Sequence, residues 1–278
     1  MDTIGIIAGS GQFPALVARG AKRNGLRVAI CGFQGNTDAG LAAEADAFVM
    51  LHLGQLGALI DFFKKNNAKT VCMAGAINKP KALDFRPDLR AAKLLFKLGG
   101  KNKGDDVLLR AVAGELHSED ITVVRPEELA PDLRSPSGIL GRHKPDADIK
   151  ADIRFGWKTA KALGALDIGQ CVVVRNGVVI AVEGIEGTDA TLVRGGELGG
   201  PNCTAVKVLK PGQDERLDLP SIGAGTIALL AQYRYACLAF EAGKTLFFDQ
   251  QAALKTAHDH SIAIVGIPPE ADTFFEGW

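Results

Sequence analysis

Thr3-Ile4-Gly5-Ile6-Ile7-Ala8-Gly9-Ser10-Gly11-Gln12-Phe13-Pro14 is the stretch that decides the fold. A short apolar run ends at a glycine-punctuated turn, and a helical pattern over 15–24 follows it. The next apolar run is 26–32. A helix around 38–44, a strand over 47–51, a helix near 54–66 and a buried strand over 70–75 come after it. Helices near 89–98 and 104–118 and a strand over 121–125 complete the series. Strands that alternate with helices need crossovers, and crossovers of one hand produce a mostly parallel sheet. Residues 1–130 therefore read as a Rossmann-like α/β domain.

Residues 131–147 are rich in Pro, Gly, Ser and charge and suggest a linker. A second α/β domain over 148–278 begins with a helix over 148–164. A hairpin follows, Cys171-Val-Val-Val-Arg-Asn-Gly-Val-Val-Ile-Ala181, turning at Asn176-Gly177. Next come a glycine-rich loop over 195–200, a strand over 204–209 and a helix over 223–233. Apolar runs at 237–240 and 245–248, a helix over 250–259 and a strand over 262–266 end the reading.

The chain has 278 residues, 47% of them apolar and 23% charged, which suits a globular protein with a substantial core. Lys+Arg and Asp+Glu both number 32, so no global field draws nucleic acid. The five cysteines are scattered and contain no CxxC pair, which argues against a disulfide framework or a zinc ribbon and fits a reducing compartment. The N-terminus lacks a signal-peptide pattern and no apolar run reaches membrane-spanning length, so a cytoplasmic protein is expected.

Four places carry candidate chemistry. The Gly9-Ser10-Gly11 turn resembles a nucleotide-phosphate loop, because glycines admit a phosphate to the backbone and a helix N-terminus attracts anions. Pro14 stands where a dinucleotide fingerprint has its third glycine, so an ordinary tight turn is the alternative. Glu183, Glu186 and Asp189 fall within seven residues after the hairpin, beside permissive glycines. Burying such charges is costly unless they are paired or hold a cation, and a solvated acidic loop is the alternative. Asp105-Asp106 either caps an apolar helix or points at a metal. In an extended segment Asp214, Arg216 and Asp218 would share one face, with Arg forking onto phosphate and carboxylates holding a metal, or forming a surface ion-pair ladder. His258 and His260 have no metal-ligand spacing, and the lysines over 97–103 suit a solvated face.

Set in order, these segments resemble the UDP-2,3-diacylglucosamine pyrophosphatase family of the LpxI type, from lipid A biosynthesis in Gram-negative bacteria. The resemblance rests on Ile6 to Pro14, Ala74-Gly75 with Lys79-Pro80, and Gly104-Asp105-Asp106 with Leu108-Leu109-Arg110. It continues through Leu166 to Gln170, Ala181-Val182-Glu183 with Glu186-Gly187-Thr188-Asp189, and Lys210-Pro211 with Gln213-Asp214. It ends on Arg216, Asp218-Leu219-Pro220, Ile222-Gly223 and Thr226-Ile227. It implies two α/β domains with the substrate in the cleft between them. It also implies Mg²⁺-dependent hydrolysis of UDP-2,3-diacylglucosamine to UMP and 2,3-diacylglucosamine 1-phosphate (lipid X), with Mn²⁺ as a substitute ion.

On that reading Asp189, Glu186, Arg216 and Asp218 are the catalytic candidates. Asp105, Asp106, Glu183, Asp189 and Asp214 are the metal candidates. Gly9, Ser10, Gly11, Gln12, Lys79, Gln170, Thr188 and Thr226 are the substrate-binding ones. An apolar groove for the acyl chains is placed near Phe240, Phe247 and Phe248, with ordinary core packing as the equal alternative. The substrate is a glycolipid nucleotide. The reading leaves room for transient membrane-surface contact, peripheral at the inner membrane, and for a homodimer. One departure stands out: the family pattern often carries an acid directly before the Thr of the closing motif, and here Gly225 precedes Thr226. The alternative function is accordingly a catalytically impaired or non-catalytic binder of a nucleotide sugar or lipid phosphate. An NAD-dependent oxidoreductase stands behind both, because the dinucleotide fingerprint is broken.

Overall fold

A computed structural model describes residues 1–77, 85–99, 105–217 and 219–278, with the backbone alone at Asp105 and Asp106. Lys79 and Asp218 lie outside the described residues, as do the side chains of Asp105 and Asp106. The chain forms two units, Met1–Asp132 with Asp214–Asp218, and Leu133–Gln213 with Leu219–Trp278.

The first unit runs β1 (Thr3–Ala8), α1 (Phe13–Arg23), β2 (Arg27–Phe33), β3 (Ala47–Leu51), α2 (Leu56–Lys65), β4 (Thr70–Ala74), α3 (Leu89–Lys97), α4 (Asp105–His117), β5 (Thr122–Val123) and α5 (Pro126–Leu129). Its five strands are ordered β3-β2-β1-β4-β5 and all pair in parallel. The unbroken apolar text of β1 follows from that position: helices cover both faces, so the strand has no solvent side on which to alternate. Ile4, Ile6 and Ala8 pack with Val17 and Ala18 of α1. Ile7 packs on the other face with Phe63 and Leu116. Strand order reverses at β1, and in such sheets the carboxyl ends at the reversal leave a crevice.

The second unit continues with β6 (Gly138–Leu140), α6 (Ala147–Ala165), β7 (Cys171–Arg175), β8 (Val178–Val182), α7 (Thr188–Gly199), β9 (Thr204–Lys207), β10 (Ser221–Ile222), α8 (Ala224–Gln232), β11 (Cys237–Glu241), β12 (Leu246–Phe247), α9 (Gln250–Asp259), β13 (Ala263–Ile267) and α10 (Ala271–Glu276). Six strands form one sheet, β6-β13-β11-β9-β7-β8, with a parallel centre of β9, β11 and β13. Ile153 and Trp157 of α6 pack against Val172, Val174 and Val206 on one face. Leu192, Ile227 and Leu230 of α7 and α8 pack with Val173 and Ala205 on the other. The hairpin turns at Asn176 (φ 50°) and Gly177 (φ 73°), and the Asp152 carboxylate accepts both their amides at 2.9 and 2.6 Å.

Several elements differ from the sequence reading. The glycine-rich stretch 195–200 is the end of α7 rather than a loop. A Cβ at Gly195 would stand 2.6 Å from Val173, and one at Gly196 2.5 Å from Tyr233, so these glycines let the helix lie close on the sheet and on a tyrosine. Residues 39–44 form a 3₁₀ turn, and only Thr122–Val123 of the 121–125 run pairs. Within 131–147 the chain forms β6, an antiparallel edge strand on β13. Phe240 and Phe247 are buried and pack edge to face at 5.8 Å, so they fill the core and line no groove. All five cysteines are buried thiols.

Candidate functional site

At the carboxyl end of β1, Gly9 donates to the carbonyl of Ala74 at 2.7 Å and Ser10 to that of Ala76 at 2.8 Å. The Ser10 hydroxyl also donates to Ala76 at 2.9 Å. A Cβ on Gly9 would meet the Ala76 carbonyl oxygen at 2.4 Å, and one on Gly75 the Ser10 carbonyl oxygen at 2.5 Å. Gly9 and Gly75 therefore serve the approach of two loops to each other. Gly11 differs: it has φ 84° and no atom within 4 Å of its Cβ position. With the exposed Gln12 it leaves the start of α1 open to solvent above the β1–β4 crevice.

Asp214 and Arg216 also belong to the first unit. The segment is a turn and not an extended strand: the amide of Leu217 donates to the Asp214 carbonyl at 3.0 Å. Arg216 forks onto Asp214, Nε at 3.0 Å and Nη2 at 2.7 Å. That fork holds the Asp214 carboxyl below the usual carboxylate range. Beside them, Glu215 pairs with Arg125 at 2.8 Å and Leu217 is buried in the core under α2 and α4.

In the second unit, β8, β9 and β11 end on the same edge of the sheet, where β7 begins. Glu183 leaves β8 there, buried, with its amide on the Cys171 carbonyl at 2.8 Å. Its carboxylate accepts the Thr188 hydroxyl at 3.1 Å and the Gln170 amide at 3.3 Å. The backbone before it is pressed so close that a Cβ on Gly169 would fall 2.1 Å from the Glu183 carbonyl oxygen. Gln170 thus acts on Glu183 through its main chain.

Glu186 is oriented differently. It accepts the Gly184 amide at 3.0 Å and the Arg194 guanidinium at 2.5 Å. Its own main-chain N–H, and then Arg194, hold its carboxyl below the usual range. Asp189 lies exposed in the first turn of α7. Three of the sequence candidates, Glu183, Thr188 and Asp189, are thus brought together at one helix start, and Glu186 is turned toward Arg194.

Lys207 is the residue that sequence reasoning misses. It sits at the end of β9, opposite Cys171 in the ladder, and is buried. Its Nζ donates to the Ser221 carbonyl at 2.7 Å, tying β9 to the strand that leads into α8. Burial pushes the Cys171 thiol up to about 12. Glu183 and Asp189 add to that shift and Lys207 opposes it, so all three charges act on one sulfur. The available signal in the sequence was a single lysine in the apolar run Ala205-Val206-Lys207-Val208-Leu209, where a buried charge needs a partner.

Helix α8 starts at Gly223 with no side-chain cap. Gly225 is its second residue, exposed, with no atom within 4 Å of its Cβ position, and Thr226 is its third. Two helix starts without side-chain caps, α7 and α8, follow β8 and β10, and Lys207 at the end of β9 reaches the Ser221 carbonyl of β10, an arrangement suited to phosphate oxygens. Among the described residues no three His, Cys, Asp or Glu side chains gather as a metal cage. The pair Glu183 and Asp189 still fits Mg²⁺, which takes one or two carboxylates and completes its shell with phosphate oxygens and water.

Comparison with known proteins bears on both units. The model described as LpxI N-terminal domain matches residues 3–133, and the model described as LpxI C-terminal domain matches residues 136–265. A protein of Caulobacter vibrioides (strain ATCC 19089 / CIP 103742 / CB 15), UDP-2,3-diacylglucosamine pyrophosphatase LpxI, is 33% identical over 281 residues, covering 97% of this chain and 99% of its own. Among solved structures, phosphoribosylglycinamide synthetase from Anaerococcus prevotii is 14% identical, with a TM-score of 0.24, over 63% of this chain and 32% of that one; it bears on nothing further.

Proposed function

The chain belongs to the LpxI family, and from that premise we propose that it hydrolyses the pyrophosphate bond of UDP-2,3-diacylglucosamine, releasing UMP and 2,3-diacylglucosamine 1-phosphate for lipid A synthesis. The observation that carries this reading is the full-length relation to a pyrophosphatase of that name, through both family domains. The chemistry must neutralise charge on two phosphoryl groups and hold a water in line with the bond that breaks.

The second unit has the parts for this. Lys207 and the open starts of α7 and α8 receive phosphate oxygens. Thr188 fixes Glu183, and the exposed Asp189 orients the attacking water. Glu183 and Asp189 would hold Mg²⁺, which, when bound, supplies Lewis-acid charge at the phosphoryl oxygens. In the first unit, Arg216 is already forked onto Asp214, a neutral pair rather than a free phosphate clamp. In the first unit, taken by itself, the turn at Gly9–Gly11 leaves the start of α1 as a candidate anion-binding turn. We place the reaction in the cytoplasm.

The test is UMP release by purified protein from detergent-dispersed UDP-2,3-diacylglucosamine, with Mg²⁺ and with EDTA. Metal-dependent release is expected, and Asp189→Asn should lower it by about 10²-fold or more with an unchanged melting curve. Near-normal turnover in that variant would remove Asp189 from the site.

A second reading, a binder that does not turn over, is favoured by one observation. Gly225 stands in the first turn of α8 with open space where the family pattern often carries an acid. Binding of UDP-2,3-diacylglucosamine without release of UMP, in folded protein, would decide for it.

A further inference from the structure

Helix α3 turns two apolar side chains outward. Leu89 is 84% exposed and Phe96 86%, the largest exposures among the described leucines and phenylalanines. They are seven residues apart, so they share one face, about two turns long. The opposite face of the same helix already has its partners: Ala91 and Leu94 are buried in the core with Phe63 and Leu116. Among the described residues the outward pair stays uncovered.

Lys93 and Lys97 stand between and beside them on that outward face, both exposed. Three acids near it, among the described side chains, are engaged elsewhere. Asp88 accepts the amides of Gly57 at 2.6 Å and Ala91 at 2.9 Å. Glu115 and Glu119 are held by Arg90 at 2.8 and 2.6 Å, and Glu119 also by Lys64. Lys97 reaches Glu115 only at 3.8 Å, with its side chain 72% exposed. Its described residues thus set two exposed lysines beside two exposed apolar side chains, while the chain as a whole is neutral.

We infer that this face of α3 docks the protein on a lipid surface bearing anionic headgroups. Leu89 and Phe96 enter the boundary between headgroups and acyl chains, and Lys93 and Lys97 meet the phosphates. The inference extends the proposed function by naming where a lipid substrate's membrane is met. A second copy of the chain fits the face less well. A two-fold contact would set the lysines of one copy against those of the other, and like charges there repel.

Co-sedimentation of the full chain with vesicles tests this. Vesicles of phosphatidylglycerol and phosphatidylethanolamine should bind the protein at least roughly tenfold more tightly than pure phosphatidylcholine, and salt should weaken the binding. Leu89→Ser with Phe96→Ser should abolish most of it. Lys93→Gln with Lys97→Gln should weaken it roughly thirtyfold, from about 1 kcal/mol per lysine. All four positions are exposed, so melting curves should not move.

Release of UMP from detergent-dispersed substrate is measured on the same variants. Unchanged release with lost vesicle binding supports the docking face. Vesicle binding without release in the parent protein also supports it, and sinks the enzymatic reading alone. Vesicle binding that the variants leave intact, or a solution dimer that the variants dissociate, overturns the proposal.

Discussion

At the scale of single residues, Lys207 and Gly225 carry the sharpest consequences. Lys207 is buried and donates to the Ser221 carbonyl on a sheet edge that also holds Glu183. Replacing it by Met keeps the stem and removes the charge. Lys207→Met is expected to lower kcat/KM for UMP release by about 10²-fold. UMP binding measured by calorimetry should weaken in parallel, and equal affinity in the variant would remove Lys207 from the phosphate site. Gly225→Asp is the opposite experiment. The Cβ meets nothing, the position is in a helix first turn, and an acid there suits the positive end of the helix. Stability should rise by about 0.5–1 kcal/mol in urea unfolding, because glycine leaves a helix. Metal-dependent release should rise by about 10²-fold; no rise would mean that the site is complete with Gly225. Glu183 and Asp189 were visible in the sequence as carboxylates following a strand. The division between Glu183, held by Thr188, and Glu186, turned to Arg194, was not, because it depends on which side of α7 each faces.

At the scale of elements, the most legible features were those with a strong local cause. The Asn176-Gly177 turn adopts positive φ at both residues, as a tight hairpin requires, and β1 reads as a buried parallel strand from its unbroken apolar run. What misled was glycine with two meanings. At Gly195 and Gly196 its absence of a side chain serves packing against Val173 and Tyr233 rather than chain reversal, and local composition does not separate these uses. Gly195→Ala is therefore expected to cost about 1–3 kcal/mol, through overpacking of α7 on β7, even though alanine favours helix. Urea denaturation followed by circular dichroism measures it, and a stabilised variant would contradict the close packing. The phenylalanines at 240 and 247 left core and groove open for a related reason: apolar runs advertise burial without saying whether the neighbour is core or ligand, and the core reading holds.

At the scale of the whole molecule, the two α/β units were legible from the alternation of elements, because each unit repeats the same strand–helix grammar. The excursion of Asp214–Asp218 into the first unit was not. Its determinants are non-local: Leu217 finds its core among residues far earlier in the sequence, and Glu215 finds Arg125. Leu217→Ala should accordingly cost about 2–5 kcal/mol. The loss should appear as faster amide hydrogen exchange in β1 and β4, strands more than a hundred residues upstream. Faster exchange confined to β9 and β11 would contradict the assignment of Leu217 to the first core.

Because of that excursion the backbone passes between the units at three points, after Asp132, after Gln213 and after Asp218. A protease that nicks the chain once near residue 132 would therefore leave the halves laced together. The same lacing bears on descent. Joining two finished domains end to end creates one passage, so this pair cannot be taken apart and reassembled as interchangeable modules. The later half carries a piece of the first unit's interior, so the two must be inherited, and altered, together.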